Sequence, residues 1–554
     1  MFRLSRHRFA LLLRSITKRG PNARRLLLTN VLHSKPSSSL GYAIIGSAAA
    51  AALVWKSLSP LELESAPKGV TAEDVRNHNS LETGIWVAIN GQVYDLTEFI
   101  KRHPGGPKII QTYAGKNALA IFNKYHAPDF FEKYLTKEEC LGPLIGEMEV
   151  AEDITSMDDD EIEDNRENKP PLSEVFRVSD FEYIAKKTLS PTAWCYYSSG
   201  ADDEITLREN HVAFSRIFFK PRVLVELKDV DMSTTMLGQK CSVPLYCSAA
   251  AQAKLGHPDG ELSIARGCGK EGVIQMISNS ASYPLKDIAE AAIKGQTQWF
   301  QLYLSNELAA VNAVKAVKEL GLKAIFVTVD TPELGRREKD MKLRAQIEAR
   351  AGPVDNDDGA KDLGTSVPYG ANLAVTWKDI DDIRAMSSVP VAVKGVQSVE
   401  DIILAAEKGI PAVVLSNHGG RQLDFSRAPI EVLADAMPVL KEKGLDDKIE
   451  IYVDGGVRRG SDVIKALCLG AKGVGLGRIF LYANSAYGED GVRKAIQLLK
   501  DEIRIDMRLL GVSTIDELGP HLLDLRNLYA RQSPLDSVYN SNYEPLSPPK
   551  FRNE

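Results

Sequence analysis

No acidic residue precedes Glu62, although the same stretch carries Arg3, Arg6, Arg8, Arg14, Lys18, Arg19, Arg24, Arg25 and Lys35. An Arg-rich, serine-containing and acid-free start has the signature of a mitochondrial transit segment, and it stands outside fold reasoning. Long apolar runs are scarce. Leu40 to Trp55 is one, but Lys56 closes it slightly short of the roughly 20 residues that a comfortable membrane span needs. It reads either as a membrane anchor or as a stop-transfer sorting signal that is later cut, and cleavage is the expectation. Cysteine is scarce too. The six (Cys140, Cys195, Cys241, Cys247, Cys268 and Cys468) are scattered without a CxxC pair, which excludes a disulfide framework and a zinc site. A formal net charge of -6 over 554 residues speaks against general nucleic-acid binding. No Walker A sequence is present.

The length calls for two or three folding units. Residues 1–65 form the presequence with its sorting segment, and a compact unit follows over 68–147. Residues 148–171 are acidic, poor in large apolar side chains and closed by Pro170-Pro171, which predicts an extended, solvated hinge. Eight apolar runs come next: Val243–Ser248, Val273–Ile277, Gln298–Tyr303, Ala324–Val329, Pro390–Lys394, Ala412–Leu415, Glu450–Val453 and Gly473–Leu476. Helical patterns such as Leu308–Leu320, Val399–Lys408 and Ser461–Leu469 lie between most of them. Near-continuous apolar strands joined by helices predict a parallel (β/α)8 barrel over 172–525, with a doubly wound sheet as the alternative. The connection from Pro332 to Trp377 is too long for a simple link. Its Gly- and Asp-rich middle, Ala351 to Gly364, predicts a mobile loop or lid over the barrel mouth. The tail, 526–554, is rich in Ser, Pro, Asn and Tyr and is expected to pack on a neighbouring subunit or stay mobile.

Candidate chemistry collects at the ends of these strands. Val413-Val-Leu-Ser-Asn-His418-Gly-Gly-Arg421-Gln-Leu-Asp424 ends a short apolar run in a glycine-rich turn with a base and a guanidinium. His takes a proton near neutral pH, and Arg grips a carboxylate bidentately. The bland alternative is a surface turn that happens to hold a His. Five other runs also end in polar groups: Gln301-Leu-Tyr303, Thr328-Val-Asp330, Lys394-Gly395, Asp454-Gly-Gly-Val-Arg458 and Gly475-Leu-Gly477-Arg478. Polar groups at the C-terminal ends of barrel strands read as an active site, and the last two turns fit a phosphate site. In the N-terminal unit, Ile85–Ile89 and Gln92–Leu96 flank Asn90-Gly91, a hairpin signal. Downstream, His103 and His126 sit among apolar residues, either as haem ligands or as a turn His and a helix His.

Two resemblances close these alternatives. Trp86, Val93-Tyr-Asp-Leu-Thr, Phe99, His103-Pro-Gly-Gly and His126 resemble the cytochrome b5 pattern in order and spacing, which implies that His103 and His126 ligate the iron of haem b. Tyr196-Tyr-Ser-Ser-Gly, Gln301-Leu-Tyr, Thr328-Val-Asp, Val393-Lys-Gly, Ser416-Asn-His-Gly-Gly-Arg-Gln-Leu-Asp, Asp454-Gly-Gly-Val-Arg-Arg-Gly and Gly475-Leu-Gly-Arg resemble the FMN-dependent 2-hydroxy-acid dehydrogenase and oxidase family. The implied fold class is multidomain: an α+β cytochrome b5-like haem domain followed by a (β/α)8 TIM barrel binding FMN.

By that resemblance His418 is the base and Asp330 orients and stabilises it. Arg421 and Tyr196 hold the substrate carboxylate with help from Arg337, Tyr303 hydrogen-bonds the 2-hydroxyl, and Lys394 lies by the flavin N1 and C2 carbonyl. FMN contacts are expected from Ser248, Ala249, Ala250, Ala251, Ser278, Gln301, Thr328, Asp454, Gly455, Gly456, Val457, Arg458, Gly477 and Arg478. Ser280 departs from the family, where a bulky apolar side chain usually covers the substrate's own side chain, and a broader pocket is expected.

The combination implies oxidation of L-lactate or related L-2-hydroxy acids, with electrons passing through FMN and haem b to cytochrome c. It also implies a homotetramer with no nucleic-acid partner. A basic presequence followed by a sorting segment resembles signals for the mitochondrial intermembrane space, so membrane contact is transient. Two rivals are an oxygen-dependent 2-hydroxy-acid oxidase with an auxiliary haem domain and a non-enzymatic haem-binding scaffold.

Overall fold

The computed structural model describes residues 69–531 except 104–106, 154–159, 228, 305–306 and 351–374. The expected presequence with its apolar segment, the Ala351–Gly364 stretch, Gly105-Gly106 and the tail beyond Arg531 lie outside the described residues. Among the described residues no helix is long and apolar enough to cross a membrane.

The N-terminal module is built on the predicted hairpin. Strands Gly84–Ile89 and Gln92–Asp95 pair antiparallel, with Val87 opposite Tyr94 and Ile89 opposite Gln92. The turn needs two left-handed residues, and Asn90 (φ 50°) and Gly91 (φ 73°) are the types that accept that conformation. Cys140–Ile145 adds to the Gln92–Asp95 edge, and Val70–Thr71 closes a five-stranded sheet outside it. Three short helices, Pro107–Thr112, Leu119–Tyr125 and Phe130–Tyr134, accompany the sheet. Ile85, Val87, Tyr94, Phe99, Ile110, Ile121 and Phe122 form one buried cluster.

The hinge departs from expectation, because Asp160–Glu167 is a helix rather than extended chain. Asp160, Glu161 and Glu163 fall in its first turn, where negative charge favours the helix dipole instead of opposing the fold. Arg166 in its last turn donates to the Thr188 carbonyl at 2.8 Å and ties the helix to the barrel domain.

The barrel strands are β1 (Leu245–Cys247), β2 (Ile274–Ile277), β3 (Gln298–Leu302), β4 (Ile325–Thr328), β5 (Val391–Val396), β6 (Ala412–Leu415), β7 (Glu450–Asp454) and β8 (Gly473–Leu476). Each pairs parallel with the next, and β8 pairs with β1, so the sheet is closed and the doubly wound alternative is excluded. Side chains facing the axis fill the barrel. Tyr246, Trp299, Phe326 and Tyr452 meet there, with Trp299 and Phe326 rings 4.9 Å apart and Tyr246 and Trp299 rings 5.5 Å apart. Each such ring buries roughly 150–250 Å², several kcal/mol apiece at about 25 cal/mol per Å². The hairpin Thr234–Met236 and Gln239–Cys241 packs into the same cluster through Met236 and Cys241. A filled interior leaves the loops after the strands as the place for chemistry. Within the long connection Glu338–Arg350 is a helix.

Candidate active site

The loop after β6 is fixed residue by residue. Ser416 Oγ accepts from Lys394 Nζ at 3.0 Å and from the His418 amide at 3.1 Å. Asn417 exchanges two amide hydrogen bonds with Asn210, at 2.8 and 2.7 Å. Gln422 Nε2 donates to the carbonyls of Asp330 (2.6 Å) and Glu333 (2.8 Å), which fastens the loop to the end of β4. Asp424 accepts from the amides of Ile205 and Thr206 at the start of the helix Ile205–Ser215. A Cβ on Gly420 would sit 2.6 Å from the Leu207 backbone, so only glycine lets helix and loop meet. These bonds hold His418 in a left-handed conformation (φ 57°), which a free histidine visits rarely.

The imidazole is caught on both sides. His418 Nδ1 lies 3.0 Å from Asp330 Oδ1, and Nε2 lies 3.4 Å from the Tyr303 hydroxyl. Burial pushes the Asp330 carboxyl up, but His418 and then Lys394 outweigh it and hold it below the usual carboxylate range. Asp330 is therefore an anion that fixes the Nδ1–H tautomer and leaves the Nε2 lone pair facing the cavity. Gly395 makes room for it, since a Cβ there would stand 2.6 Å from the Asp330 Cβ and Cγ. Burial, with Asp330 adding to it, raises the Tyr303 phenol, which stays a donor. Burial alone would lower Lys394, but Asp454 (3.4 Å) and Asp330 raise it above its ordinary value, so it stays an ammonium.

Arg421 has one terminal nitrogen on the carbonyls of Tyr196 (2.7 Å) and Ser199 (3.1 Å), and its guanidinium carbon stands 5.1 Å from the Tyr196 ring centroid. Arg337 approaches the same ring at 5.9 Å. Burial, followed by repulsion from Arg337, pushes the Arg421 guanidinium down to about 9. Two converging cations beside a tyrosine are the chemistry of a carboxylate clamp.

At the far side, the Asp454–Arg458 turn bends through Gly455 (φ 96°) and Gly456 (φ 84°). A Cβ on Gly456 would fall 2.0 Å from the Asn210 carbonyl oxygen. Gly477 precedes the helix that starts at Arg478 and breaks at Tyr487-Gly488, with nothing within 4 Å of where its Cβ would be. Backbone amides at a helix start beside a glycine turn suit a phosphate dianion. The two arginines expected there are engaged elsewhere. Arg478 donates to the carbonyls of Tyr197 (2.9 Å), Gly419 (2.8 Å) and Ser199 (3.0 Å), and Arg458 pairs with Glu182. Both still line the cavity, but Arg478 braces the catalytic loop.

Ser248, Ala249, Ala250, Ala251, Ser278, Ser280, Gly455, Gly456 and Val457 also line it. Gln301 and Thr328 are buried beneath that wall. Gln301 Nε2 donates to Thr328 Oγ1 at 2.9 Å, and its carbonyl oxygen accepts the Asn279 amide at 3.1 Å. A phosphate cradle, a broad neutral wall and a buried ammonium together fit FMN. Asn210, Asn417, Gln422 and Gly395 carried no role in the sequence reading. Asn417, Gln422 and Gly395 stood inside quoted motifs, whereas nothing marked Asn210.

In the N-terminal module the His103 and His126 rings lie with centroids 6.0 Å apart and planes inclined at 62°. Two imidazole–metal bonds of about 2.0 Å each fit that gap. Among the described residues no group of three or more His, Cys, Asp or Glu is placed to hold a metal. A metal held by this pair must bring its other ligands with it, as a haem does, and Val87, Ile89, Leu96, Phe99 and Ile110 supply the apolar walls. Burial, reinforced by His103, pushes His126 down to about 3, which keeps the imidazole in the neutral form that iron ligation needs. The module and the barrel belong to one compact unit. One continuous cavity of about 540 Å³ runs from His103 and His126 to Lys394, His418 and Arg421.

Comparison with known proteins agrees with this geometry. The FMN-dependent dehydrogenase family profile matches residues 185–525, and the profile described as cytochrome b5-like heme/steroid binding domain matches 71–145. The chain is 54% identical over 489 residues to an L-lactate dehydrogenase (cytochrome) of Wickerhamomyces anomalus, covering 87% of this chain and 85% of that protein. It is 50% identical over 506 residues to the protein of the same description from Saccharomyces cerevisiae, covering 87% and 84%. The solved recombinant flavin-binding domain of baker's yeast flavocytochrome b2 aligns at TM-score 0.63 and 54% identity, over 69% of this chain and 95% of that one.

Proposed function

We propose a function on the premise that this chain belongs to the FMN-dependent dehydrogenase family: it oxidises L-lactate to pyruvate through FMN, and the electrons leave through haem b to cytochrome c. The observation that carries the reading is the single cavity joining the His418–Asp330 pair to the His103–His126 pair.

Oxidation of a 2-hydroxy acid to a 2-oxo acid releases two electrons and two protons. When bound, FMN supplies the two-electron acceptor that hands electrons on singly, and haem b supplies the one-electron relay. Arg421 and Tyr196, with Arg337, anchor the substrate carboxylate. That places the 2-hydroxyl between His418 Nε2 and the Tyr303 hydroxyl. His418 Nε2 takes a proton, and the buried Asp330 carboxylate balances the imidazolium that forms. Lys394 keeps a buried positive charge in the cavity wall, which would favour reduction of an FMN held beside it.

Absorbance spectra before and after anaerobic addition of L-lactate test the scheme. Flavin bleaching followed by a reduced b-type haem band is expected. Stoichiometric hydrogen peroxide in air without cytochrome c reduction would sink it in favour of the oxidase reading.

Ser280 leaves more room than a bulky apolar residue, so the pocket admits larger 2-hydroxy acids beside lactate. A methylene contact is worth about 1–3 kcal/mol in discrimination. Strong preference for lactate over 2-hydroxybutyrate and mandelate in steady-state kinetics would refute this. A net charge of -6 steers a basic partner such as cytochrome c, so the reduction rate should fall as salt rises. The acid-free N-terminus supports delivery to the mitochondrial intermembrane space, with only transient membrane contact, and the family supports a homotetramer.

A further inference from the structure

The haem module meets the loop after β1 at the 3-10 turn Ala253–Leu255. Lys254 reaches across from that turn, and its Nζ donates to the Asn123 carbonyl at 3.3 Å. Asn123 belongs to the last turn of the helix Leu119–Tyr125, and His126 caps this helix. The final carbonyls of a helix lack intrahelical donors and carry the negative end of its dipole, so an ammonium is a partner they favour. A lysine of the barrel domain thus closes the end of the helix that presents one of the two imidazoles.

A surface lysine ordinarily swings on a flexible stem, whereas this one is aimed. Its ammonium stands 5.0 Å from the Tyr283 ring centroid, and the Tyr283 hydroxyl donates to the Pro258 carbonyl at 2.8 Å. The turn beneath is pinned by three bonds. The Tyr197 hydroxyl donates to the Gln252 carbonyl (2.7 Å), the Ala253 amide to Glu261 Oε1 (3.0 Å) and the Lys254 amide to Ser282 Oγ (3.2 Å). Ala249, Ala250 and Ala251, in the wall that fits FMN, stand just before this turn. The bond from Lys254 to Asn123 is therefore three residues from that wall on one side and three residues from His126 on the other. The covalent tether is fastened elsewhere. Lys169 Nζ donates to the Ala486 carbonyl at 2.7 Å, and the Tyr487 hydroxyl donates to the Pro170 carbonyl at 2.6 Å.

We propose that Lys254 is a positioning residue for electron transfer: its ammonium, aimed by the barrel domain, grips the end of the helix below His126 and keeps the haem module in place to receive electrons from the flavin. When the bond opens the module loosens, and flavin-to-haem transfer slows. The effect is confined to the transfer step, because Lys254 stands outside the lining of the cavity that holds His418 and Arg421. The inference rests on the functional reading above, and its test separates the two.

The test is anaerobic stopped flow with L-lactate on the full-length holoenzyme, with flavin bleaching and the reduced haem band followed separately. Wild type is compared with Lys254→Met and Lys254→Arg. Methionine keeps an apolar stem but loses the charge and the donor, whereas arginine keeps both. Haem reduction in Lys254→Met is expected to be roughly ten-fold slower, the equilibrium weight of one hydrogen bond from a charged donor. Flavin bleaching should be unchanged, and Lys254→Arg should recover most of the loss. Hydrogen exchange of the oxidised proteins gives a readout independent of turnover: amides of Leu119–Tyr125 should exchange faster in Lys254→Met than in the other two. Haem reduction in Lys254→Met at the wild-type rate overturns the proposal. So do unchanged exchange, a loss in Lys254→Arg as large as that in Lys254→Met, and flavin bleaching that slows together with haem reduction. Failure of L-lactate to bleach the flavin in the wild type sinks the functional reading instead.

Discussion

Replacing Asp330 by Asn keeps the shape of the side chain and removes its charge. The carboxylate is 1% exposed and lies 3.0 Å from His418 Nδ1. Opposite unit charges about 4 Å apart attract by roughly 4 kcal/mol at an effective dielectric of about 20. An imidazolium deprived of that attraction forms about 10³-fold more slowly. The replacement amide also donates to Nδ1, which moves the ring proton to Nε2 and removes the lone pair facing the substrate hydroxyl. Flavin bleaching by L-lactate in anaerobic stopped flow is expected to slow by about 10³–10⁴-fold, with little change in KM because Arg421, Tyr196 and Arg337 are untouched. Gly395→Ala should approach the same defect without altering a charge, because its Cβ would stand 2.6 Å from the Asp330 carboxyl carbon. A stability signature accompanies the kinetic one. The Asp330 carboxyl is held below its ordinary value, so its contribution is present above about pH 4 and is lost as the pH falls further. The melting temperatures of wild type and Asp330→Asn should therefore converge in acid. Bleaching of Asp330→Asn within ten-fold of the wild-type rate would refute the dyad.

Three further outcomes follow from the same geometry. His126→Ala should abolish the b-type haem band while L-lactate still bleaches the flavin, as read from absorbance spectra of the purified protein. Lys394→Met removes a buried ammonium beside Asp454 and Asp330 and should lower the flavin potential in a dye-equilibrated redox titration. An unchanged potential would mean that the charge acts elsewhere. Arg421→Lys loses a guanidinium that holds two carbonyls while facing the substrate, so KM for L-lactate should rise about 10²-fold. A KM within three-fold of the wild type would remove Arg421 from the clamp.

Much of the framework was readable from residue order. The barrel strands are short apolar runs bounded by polar turns, and a strand buried on both faces advertises itself that way. Asn90-Gly91 announced its hairpin because few residue pairs accept two left-handed conformations. Most of the candidate catalytic residues sat at strand ends beside glycines, where composition changes abruptly, whereas Tyr196 stands in the helix Pro191–Ser198. The helix Asp160–Glu167 was not readable, because its acidic run taken alone suggests repulsion, and the bond from Arg166 to Thr188 spans the domain boundary.

The sequence by itself determined the local chemistry: which turns, strands and titratable groups the chain carries, and in what order around a barrel. Only the tertiary structure decided what those groups do to one another. Asn210 and Asn417 are 207 positions apart, yet they form a buried amide pair that steadies His418. Arg478, which reads as a phosphate ligand, also ties three carbonyls together. Gly395 is glycine because of a carboxylate 65 positions earlier in the chain, at Asp330. The cavity that runs from His103 and His126 to Lys394, His418 and Arg421 has no local signature. Charge, hydrogen bonding and steric exclusion act over a few ångströms of space, and distance along the chain does not encode them.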